Sequence, residues 1–578
     1  MMSNDQKIKQ EPVVMKSFIH PSKRSVDQCH DPASPQRSYS TDDSTLDDDS
    51  SLTPDEEDDI LRRNLDAIMD SDSLKSLCER LSAMLDTPAA SLGRLRGNEC
   101  DEKINNLVCD ILVRLHRLGK ENLMKNVRNT GLLALLVKYM DRVAAAPVRQ
   151  SPGFGGGADD AMDKVALSLR CLSLEETMWI PMGREPGLPQ ALMQICNDDN
   201  QYSAKNTSER CRMNAVWAVS NIAYAPANRP LLAKMPGLIE SAVMMASSAG
   251  RSHEVRGEAM RLIMNLSSDI TNKVNMVRNK KFLSSLIRLL LDASPTVQTR
   301  ALGTVKNLSS AQVEGKVLLV SFKDGALIEV LARIIHHGLE DPSMYIKALK
   351  ILRNLCCPQT AETIGNCEGI FALLIKEGSR DEPENTESSS VARKALQMLA
   401  GSIRSGPQGT IPPCQSYLLR DVSKQTLCNM STMSTCAMVL AQHASLGENC
   451  FAIATHKETL NTLADMSDSY VISIKRNALS AIRNVTRDFR CVPLLARDRV
   501  LSPLSRACEL SGANYAECRR IALTIVVNLS TSEVGQKKIV KKERLMASLA
   551  RYAAAPDEED NGLKQNIIRT MMLLLPAV

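Results

Sequence analysis

A short apolar helical pattern with an asparagine near its end recurs along this chain at a nearly constant interval. One copy runs from Ala301 to Ser309 and contains Asn307. Successive pattern asparagines are 44, 42, 47, 130 and 44 residues apart, and 130 is about three periods. Helical segments with such a period predict an all-α solenoid of stacked repeats. The six asparagines are Asn221, Asn265, Asn307, Asn354, Asn484 and Asn528.

A second landmark, usually a glycine, opens an apolar helix within each period. Examples are Gly131, Gly187, Gly237, Gly325 and Gly369. From Gly237 onward the equivalent positions are 44 residues apart, except for one step of 42. We therefore predict an array that continues through the positions at which the asparagine is missing. Those equivalent positions hold Cys171, Gly401, Gln442 and Leu574.

Composition restricts the function classes that the chain can serve. It holds 578 residues and 17 cysteines, and only 3% of its residues are aromatic. The cysteines form no C-x-x-C pair, and neither they nor the histidines have metal-ligand spacing, so we expect reduced thiols, no metal and no cofactor. No catalytic residues can be assigned, because no nucleophile and base have a recognisable spacing. No apolar run is long enough to cross a bilayer. We expect a cytoplasmic or nuclear protein without membrane insertion.

Charge and composition divide the chain into three regions. Residues 1–57 are predicted to be a disordered regulatory tail, 58–130 a helical capping region and 131–578 the repeat array. Residues 42–59 contain ten acids and no Lys or Arg, so the remainder carries about +15. Flexible insertions are predicted near 147–160 and 379–390, where the rhythm is interrupted.

The two landmarks together resemble the armadillo repeat. Gly237-Leu238-Ile239 opens one helix, and Leu262-Ile263-Met264-Asn265-Leu266-Ser267 closes a later one. The resemblance covers roughly Gly131 to the C-terminus. It implies a right-handed α-solenoid of about ten repeats, a superhelix like that of β-catenin and importin-α, with the third helix of each repeat lining a concave groove for extended peptides. Trp217 and Asn221 look like the W-x-x-x-N pair of importin-α. Only one repeat has that pair and no Arg-rich autoinhibitory segment is present, so a plain importin-α is not expected.

By this resemblance the six asparagines would form a ladder that faces a bound peptide, because an amide can both donate to and accept from a peptide backbone. Helical spacing places basic side chains on the same face, which resembles the basic groove of β-catenin. An alternative is that the asparagines only stabilise the corners between repeats. The predicted peptide-binding residues are Trp217, Asn221, Arg261, Asn265, Arg300, Asn307, Lys347, Lys350, Asn354, Asn484 and Asn528.

The first functional hypothesis is a non-enzymatic scaffold that holds extended, acidic segments of partner proteins. The alternative is a divergent nuclear import adapter that binds basic signal peptides through Trp217 and Asn221. An intramolecular hypothesis makes residues 42–59 a self-ligand of the basic groove, strengthened by phosphorylation. The basic run from Lys537 to Lys542 is interpreted as a solvated face, so nucleic acid is not an expected partner.

Overall fold

The computed structural model describes the array and part of the region before it, all within one unit, residues 72–578. The predicted tail 1–57 lies outside the described residues, as do residues 58–73 of the predicted cap. The described ranges are 74–86, 103–111, 114, 120–145, 157–196, 208–337, 341–380, 386–407, 410–426, 428–555 and 561–575. Within them the chain is helical and contains no strand.

Ten long helices carry the asparagine pattern or its equivalents, and we number the repeats 1 to 10 by them. We call each the third helix of its repeat. In order they are Gly157–Leu172, Glu209–Ile222, His253–Ser267, Pro295–Ser309, Pro342–Leu355, Thr386–Ala400, Met430–Ala444, Ile472–Val485, Ala516–Leu529 and Asn561–Leu574. The ten repeats confirm the predicted fold class.

A second helix precedes each third helix and packs against it. These helices begin at or beside the predicted second landmark. In repeat order they are Leu132–Ala145, Leu188–Cys196, Leu238–Ser247, Lys280–Leu289, Ala326–His337, Ile370–Gly378, Pro413–Gln425, Lys457–Ser467, Asp498–Glu509 and Glu543–Ala554.

Shorter first helices complete nine of the repeats, and repeat 7 has no α-helix in this place among its described residues. The first helices are Lys120–Thr130, Glu176–Arg184, Arg229–Ala233, Ile270–Arg278, Val313–Ser321, Ala361–Gly365, Cys450–Thr455, Val492–Leu495 and Glu533–Val540. Single 3-10 turns occur at Pro226–Asn228, Phe322–Gly325, Gly447–Asn449 and Ala513–Tyr515. Before repeat 1, Leu74–Asp86 and residues 103–111 are helical.

The helices pack in two layers. Each third helix contacts the third helix of the next repeat from repeat 1 to repeat 10, and each second helix contacts the next second helix in the same way. Between them lies one hydrophobic core, to which Leu302, Val305 and Leu308 contribute fully buried side chains. Burial of each such side chain stabilises the array by about 1.5–3 kcal/mol. The array is continuous through repeats 6 and 7, where the asparagine is missing.

Both predicted insertions end earlier than expected. Gly157 begins the third helix of repeat 1, and Thr386 begins that of repeat 6. The Ser-rich segment joins the helix because Ser388 and Ser389 are buried, at 1% and 5% exposure, which a surface loop would not allow. Residues 146–156 and 381–385 lie outside the described residues.

Candidate peptide-binding face

The ladder face is the side of the third helices that carries the six pattern asparagines. Five of these side chains donate a hydrogen bond to the preceding repeat. Asn307 Nδ2, for example, donates to the Met264 carbonyl at 3.0 Å and to Ser267 Oγ at 3.1 Å. Asn528 Nδ2 donates to Thr486 Oγ1 at 3.0 Å. The ladder asparagines therefore join neighbouring repeats, whether or not they also bind a peptide.

The acceptor hydroxyl stands two residues after the asparagine position of the preceding repeat. Asn221 donates to Ser173, Asn307 to Ser267 and Asn354 to Ser309 in this way. The hydroxyl in turn donates to a carbonyl of its own helix, as Ser267 does to Met264 at 2.7 Å. We call this arrangement the inter-repeat latch. It gives the recurring Asn-x-Ser/Thr triplet a structural purpose, because each triplet carries a donor for one neighbour and an acceptor for the other.

Two asparagines follow a repeat that lacks this hydroxyl. Asn265 follows Ala223, and its Nδ2 donates to the Ser220 carbonyl at 3.0 Å instead. Asn484 follows Ala444, and its side chain makes no hydrogen bond with the residues that the structure describes. The latch therefore depends on the pair of residues and not on the asparagine alone.

The ladder amides differ in their exposure and in whether the Oδ1 atom already accepts a hydrogen bond. Asn221 and Asn265 are only 8% and 9% exposed. The Oδ1 atom of Asn221 accepts from Arg261 Nη2 at 2.8 Å, and that of Asn354 accepts from Arg353 Nη2 at 2.9 Å. The Oδ1 atoms of Asn265, Asn307 and Asn528 accept no hydrogen bond from any described residue, so they keep an acceptor for another group.

A second set of inter-repeat bonds was not predicted from the sequence. Asn228, Asn272 and Asn449 lie seven residues after a ladder position and are at most 4% exposed. Each donates to the third helix just before it in the chain and to the segment that begins the preceding repeat, as Asn272 does to the Leu266 and Arg229 carbonyls at 3.0 Å. The sequence signal that could have identified these residues is an asparagine seven positions after a ladder position.

Four of the predicted site residues meet around one carboxylate in repeats 2 to 4. Glu258 contacts Arg261 Nε at 2.6 Å and Arg300 Nη1 at 3.1 Å. Arg261 also bonds Asn221, and its guanidinium carbon lies 5.7 Å from the centroid of the Trp217 ring. Arg261 and Arg300 were expected to be free groove charges, and the structure instead pairs both with Glu258.

Trp217 is also in contact with a residue that sequence reasoning missed. The guanidinium carbon of Arg170 lies 3.7 Å from the centroid of the Trp217 ring, and its Nη1 donates to Asn214 Oδ1 at 2.9 Å. We define the arginine cluster as Arg170, Arg261 and Arg300 with Glu258. It holds three positive charges and one negative charge. The pKa of Arg261 is lowered, chiefly by burial and further by the positive charges of Arg300 and Arg170. The negative charge of Glu258 opposes this shift.

Basic residues continue the ladder face into repeats 4 and 5. Lys306 is exposed and Lys347 half-buried, and neither forms an ion pair with a described residue. Lys350 pairs with Glu387 of repeat 6 at 2.7 Å, which partly neutralises that predicted groove charge. The Arg353 side chain donates a hydrogen bond to Asn354 Oδ1.

The position just before the asparagine place is basic in four repeats, and this was the signal that could have identified Arg170. Helical spacing of three, four and seven did not include it. The four residues are Arg170, Lys306, Arg353 and Arg483.

A pocket opens on this face where the asparagines are missing. It has a volume of roughly 380 Å³ and lies between the third helices of repeats 6, 7 and 8. Two methionines and two β-branched aliphatic residues give it an apolar wall, and Arg393 stands at one side. The lining residues are Arg393, Met430, Ser431, Ser434, Thr435, Met438, Val471, Ile474 and Asn477.

Other kinds of site receive no support from the part of the chain that the structure describes. No group of three or more His, Cys, Asp or Glu side chains there could hold a metal ion. No helix in those ranges is both long and apolar enough for a membrane span.

Comparisons with known proteins give structural similarity only. No family model and no curated protein matches the chain. An engineered protein solved by a structural genomics consortium is 17% identical, with a TM-score of 0.41, over 76% of this chain and 99% of its own. A designed armadillo repeat protein in complex with the peptide (KR)4 is 20% identical, with a TM-score of 0.36, over 49% of this chain and 100% of its own. Computationally designed armadillo repeat proteins for modular peptide recognition give 20% identity and a TM-score of 0.34, over 49% and 99%.

Proposed function

Because the chain is an armadillo-type repeat array, we propose that it is a non-enzymatic scaffold that binds extended, acidic peptide segments along the ladder face. The arginine cluster is the observation that carries this proposal. Three guanidinium groups stand there beside a single carboxylate, which contacts only Arg261 and Arg300. Lys306 and Lys347 add positive charge in repeats 4 and 5 that no described residue pairs. A surface with this excess of positive charge favours a negatively charged ligand.

The open amide oxygens support an extended ligand. Asn265, Asn307 and Asn528 each keep an Oδ1 atom that can accept from a peptide N–H. Each such bond contributes about 0.5–1.5 kcal/mol, whereas association costs about 4–15 kcal/mol. Charge must therefore supply most of the remaining free energy of binding, and the amides would align the peptide backbone.

The arrangement around Trp217 argues against the alternative of an import adapter for basic signal peptides. A lysine side chain that packed on this indole would have to displace Arg170, which lies on the ring at 3.7 Å. It would also meet the positive charges of Arg261 and Arg300. We expect a lysine-rich peptide not to bind at this place.

The proposal is tested by reversing two unpaired charges. A fluorescein-labelled oligoglutamate peptide is titrated with the full chain, and fluorescence anisotropy gives the affinity. Lys306→Glu with Lys347→Glu should weaken binding by about tenfold or more, because each change replaces an attraction by a repulsion. Neither side chain pairs with a carboxylate of the described residues, so the double variant should keep its fold.

A matched control changes the same charge elsewhere. Lys281 and Lys376 are exposed lysines of second helices, away from the ladder face. Lys281→Glu with Lys376→Glu should leave the affinity within about twofold of the original, since the net charge change is equal but the place is different. An equal loss of affinity in both double variants, or no loss of affinity in either, would overturn the proposal.

A further inference from the structure

Three arginines converge near the end of the third helix of repeat 8. Arg483 lies in the last turn of that helix, and Arg487 stands in the turn just after the helix ends at Val485. Arg520 approaches from the third helix of repeat 9. Arg487 and Arg520 are both close enough to lower the pKa of Arg483, after the larger effect of its burial. This is a second concentration of positive charge, at the end of the third helix that carries Asn484 and about five repeats beyond the arginine cluster.

Arg483 lacks the partner that its counterpart in repeat 1 has. Arg170 stands at the same position, just before the asparagine place, and donates to Asn214 of the next repeat. The residue equivalent to Asn214 in repeat 9 is Ile521, which is buried and offers no side-chain acceptor. The Nε atom of Arg483 is consequently buried without a hydrogen-bond partner among the described residues. A buried charged donor left unbonded costs stability, and an external acceptor would recover that free energy.

The acidic residues around these arginines are already engaged. Glu517 raises the pKa of Arg483, but its carboxylate pairs with Arg476 at 3.3 Å. Asp488 follows Arg487 in the chain and pairs with Arg490 at 2.7 Å. Arg487 is exposed and forms no ion pair with a described residue. The positive charge of Arg483 and Arg487 is therefore not cancelled by a neighbouring carboxylate.

Asn484 adds a free amide beside the same arginines. It is the ladder residue whose side chain makes no hydrogen bond within the described chain, because Ala444 replaces the usual hydroxyl. Asn528 lies one repeat further and keeps an open Oδ1 atom. A peptide backbone on these two amides would carry its side chains past Arg483 and Arg487.

We propose that Arg483 and Arg487, flanked by Arg520, form a subsite for a phosphorylated serine or threonine in the bound peptide. Two guanidinium groups match the charge of a phosphate dianion, and their N–H groups can bond several of its oxygens at once. The inference rests on the proposed peptide-binding function. It specifies that the bound peptide is phosphorylated on serine or threonine.

The test uses the full chain and a defined probe. A fluorescein-labelled peptide with the sequence of residues 38–51 of this chain is prepared unmodified and with phosphate on Ser44, because it is acidic and rich in serine. The phosphorylated form should bind about tenfold more tightly than the unmodified form in fluorescence anisotropy. Arg483→Gln and Arg487→Gln should each remove most of this gain. Arg333→Gln, at an exposed second-helix arginine, should retain it.

Each other outcome counts against the subsite. Equal affinity for the two peptide forms overturns it and leaves the proposed peptide binding intact. A gain that survives in both Arg483→Gln and Arg487→Gln also overturns it, and the exposed Arg487 keeps this result decisive if Arg483→Gln does not fold. Absence of binding by either peptide counts against both proposals. Vesicles that contain phosphoinositide test a lipid ligand. If they bind the original chain but not Arg483→Gln or Arg487→Gln, while the phosphorylated peptide gains no affinity, the arginines recognise lipid headgroups and the phosphopeptide subsite is overturned.

Discussion

At the scale of single residues, the ladder asparagines act in pairs with hydroxyl groups. Asn307 bonds both Ser267 and the Met264 carbonyl, and Ser267 is fully buried. Asn484 has the same place in its repeat but no such partner. Breaking the latch would leave a buried hydroxyl and a carbonyl with fewer bonds, which costs more than loss of an exposed hydrogen bond.

Asn307→Ala should therefore lower the free energy of unfolding by about 1–3 kcal/mol. Asn484→Ala is the matched control and should change it by less than about 0.5 kcal/mol. Urea unfolding followed by circular dichroism measures both. Since repeat arrays can unfold in parts, hydrogen exchange at repeats 3 and 4 should show the same difference locally. Equal destabilisation by the two variants would contradict the latch.

His443 shows how a missing asparagine is replaced. It follows Gln442 in repeat 7 and is fully buried, with Nδ1 at 2.9 Å from the Ala400 carbonyl and Nε2 at 3.0 Å from Gln415 Nε2. As the neutral tautomer, the ring therefore donates from Nδ1 to repeat 6 and accepts at Nε2 from the second helix of its own repeat. Burial lowers the pKa of His443 to about 4, although the bond to Ala400 opposes this shift.

Stability should consequently fall in acid. In the unfolded chain His443 has its ordinary pKa of about 6.5, so below that pH the unfolded state binds a proton that the folded state excludes. The unfolding free energy should decrease between about pH 6.5 and pH 4, by up to roughly 3 kcal/mol from this group. His443→Gln should lose this part of the pH dependence in urea titrations, whatever its stability at neutral pH. His336→Gln, at an exposed histidine, should retain it.

At the scale of helices, the start of the second helix is set by backbone conformation in some repeats and by side chains in others. The predicted glycines Gly131, Gly187, Gly237, Gly325 and Gly369 have φ between 61° and 97°. In two of the repeats without the glycine, a side chain bonds the first turn instead: Asn279 accepts from the Phe282 N–H, and His456 accepts from the Thr459 N–H. Two local solutions thus produce the same element at the same place in the repeat.

Gly369→Ala should cost about 1–2 kcal/mol, because φ is 81° while an added Cβ would meet no atom within 4 Å. The loss is then purely a matter of backbone conformation. Gly447→Ala is the control, since its Cβ would also meet nothing and its φ is not in the left-handed region. Thermal unfolding should show a lower Tm for the first variant only. A similar Tm for both would mean that the turn does not depend on the left-handed residue.

At the scale of the whole array, charge is unevenly spread along a continuous ladder face. The arginine cluster lies in repeats 1 to 4, the apolar-walled pocket in repeats 6 to 8 and the second arginine group in repeats 8 and 9. A peptide that followed the face would meet positive charge, then an apolar recess, then positive charge again. Electrostatic contacts of this kind weaken as salt screens them.

We therefore expect the affinity for oligoglutamate to fall steadily as salt is raised, and a lysine-rich peptide of equal length to show no binding even at low salt. The physical reason is the excess of arginine over carboxylate around Trp217. Anisotropy titrations of the two labelled peptides across a salt series measure this. Tight binding of the lysine-rich peptide would favour the import-adapter alternative and contradict the acidic preference.

The fold was largely predictable from the sequence because it follows from local repetition. The period of about 44 residues located all ten third helices, and the glycine landmark located the second helices within a residue or so. The insertion limits were less accurate, because burial of Ser388 and Ser389 depends on neighbouring helices and not on their own composition. The position of Arg170 was missed for the same reason, since its contact with Trp217 crosses from one repeat to the next.

The sequence by itself determined the helical period, the number of repeats and which residues could share one face, because those properties come from spacing along a helix of fixed geometry. Only the tertiary structure decided which of those residues pair with each other. In it most ladder amides bond a serine or threonine of the preceding repeat, and Glu258 pairs with both Arg261 and Arg300. Among the described residues, Arg483 Nε meets no acceptor. Hydrogen bonds and ion pairs need groups within about 3–4 Å, and contacts between repeats at that distance arise only once the helices have packed.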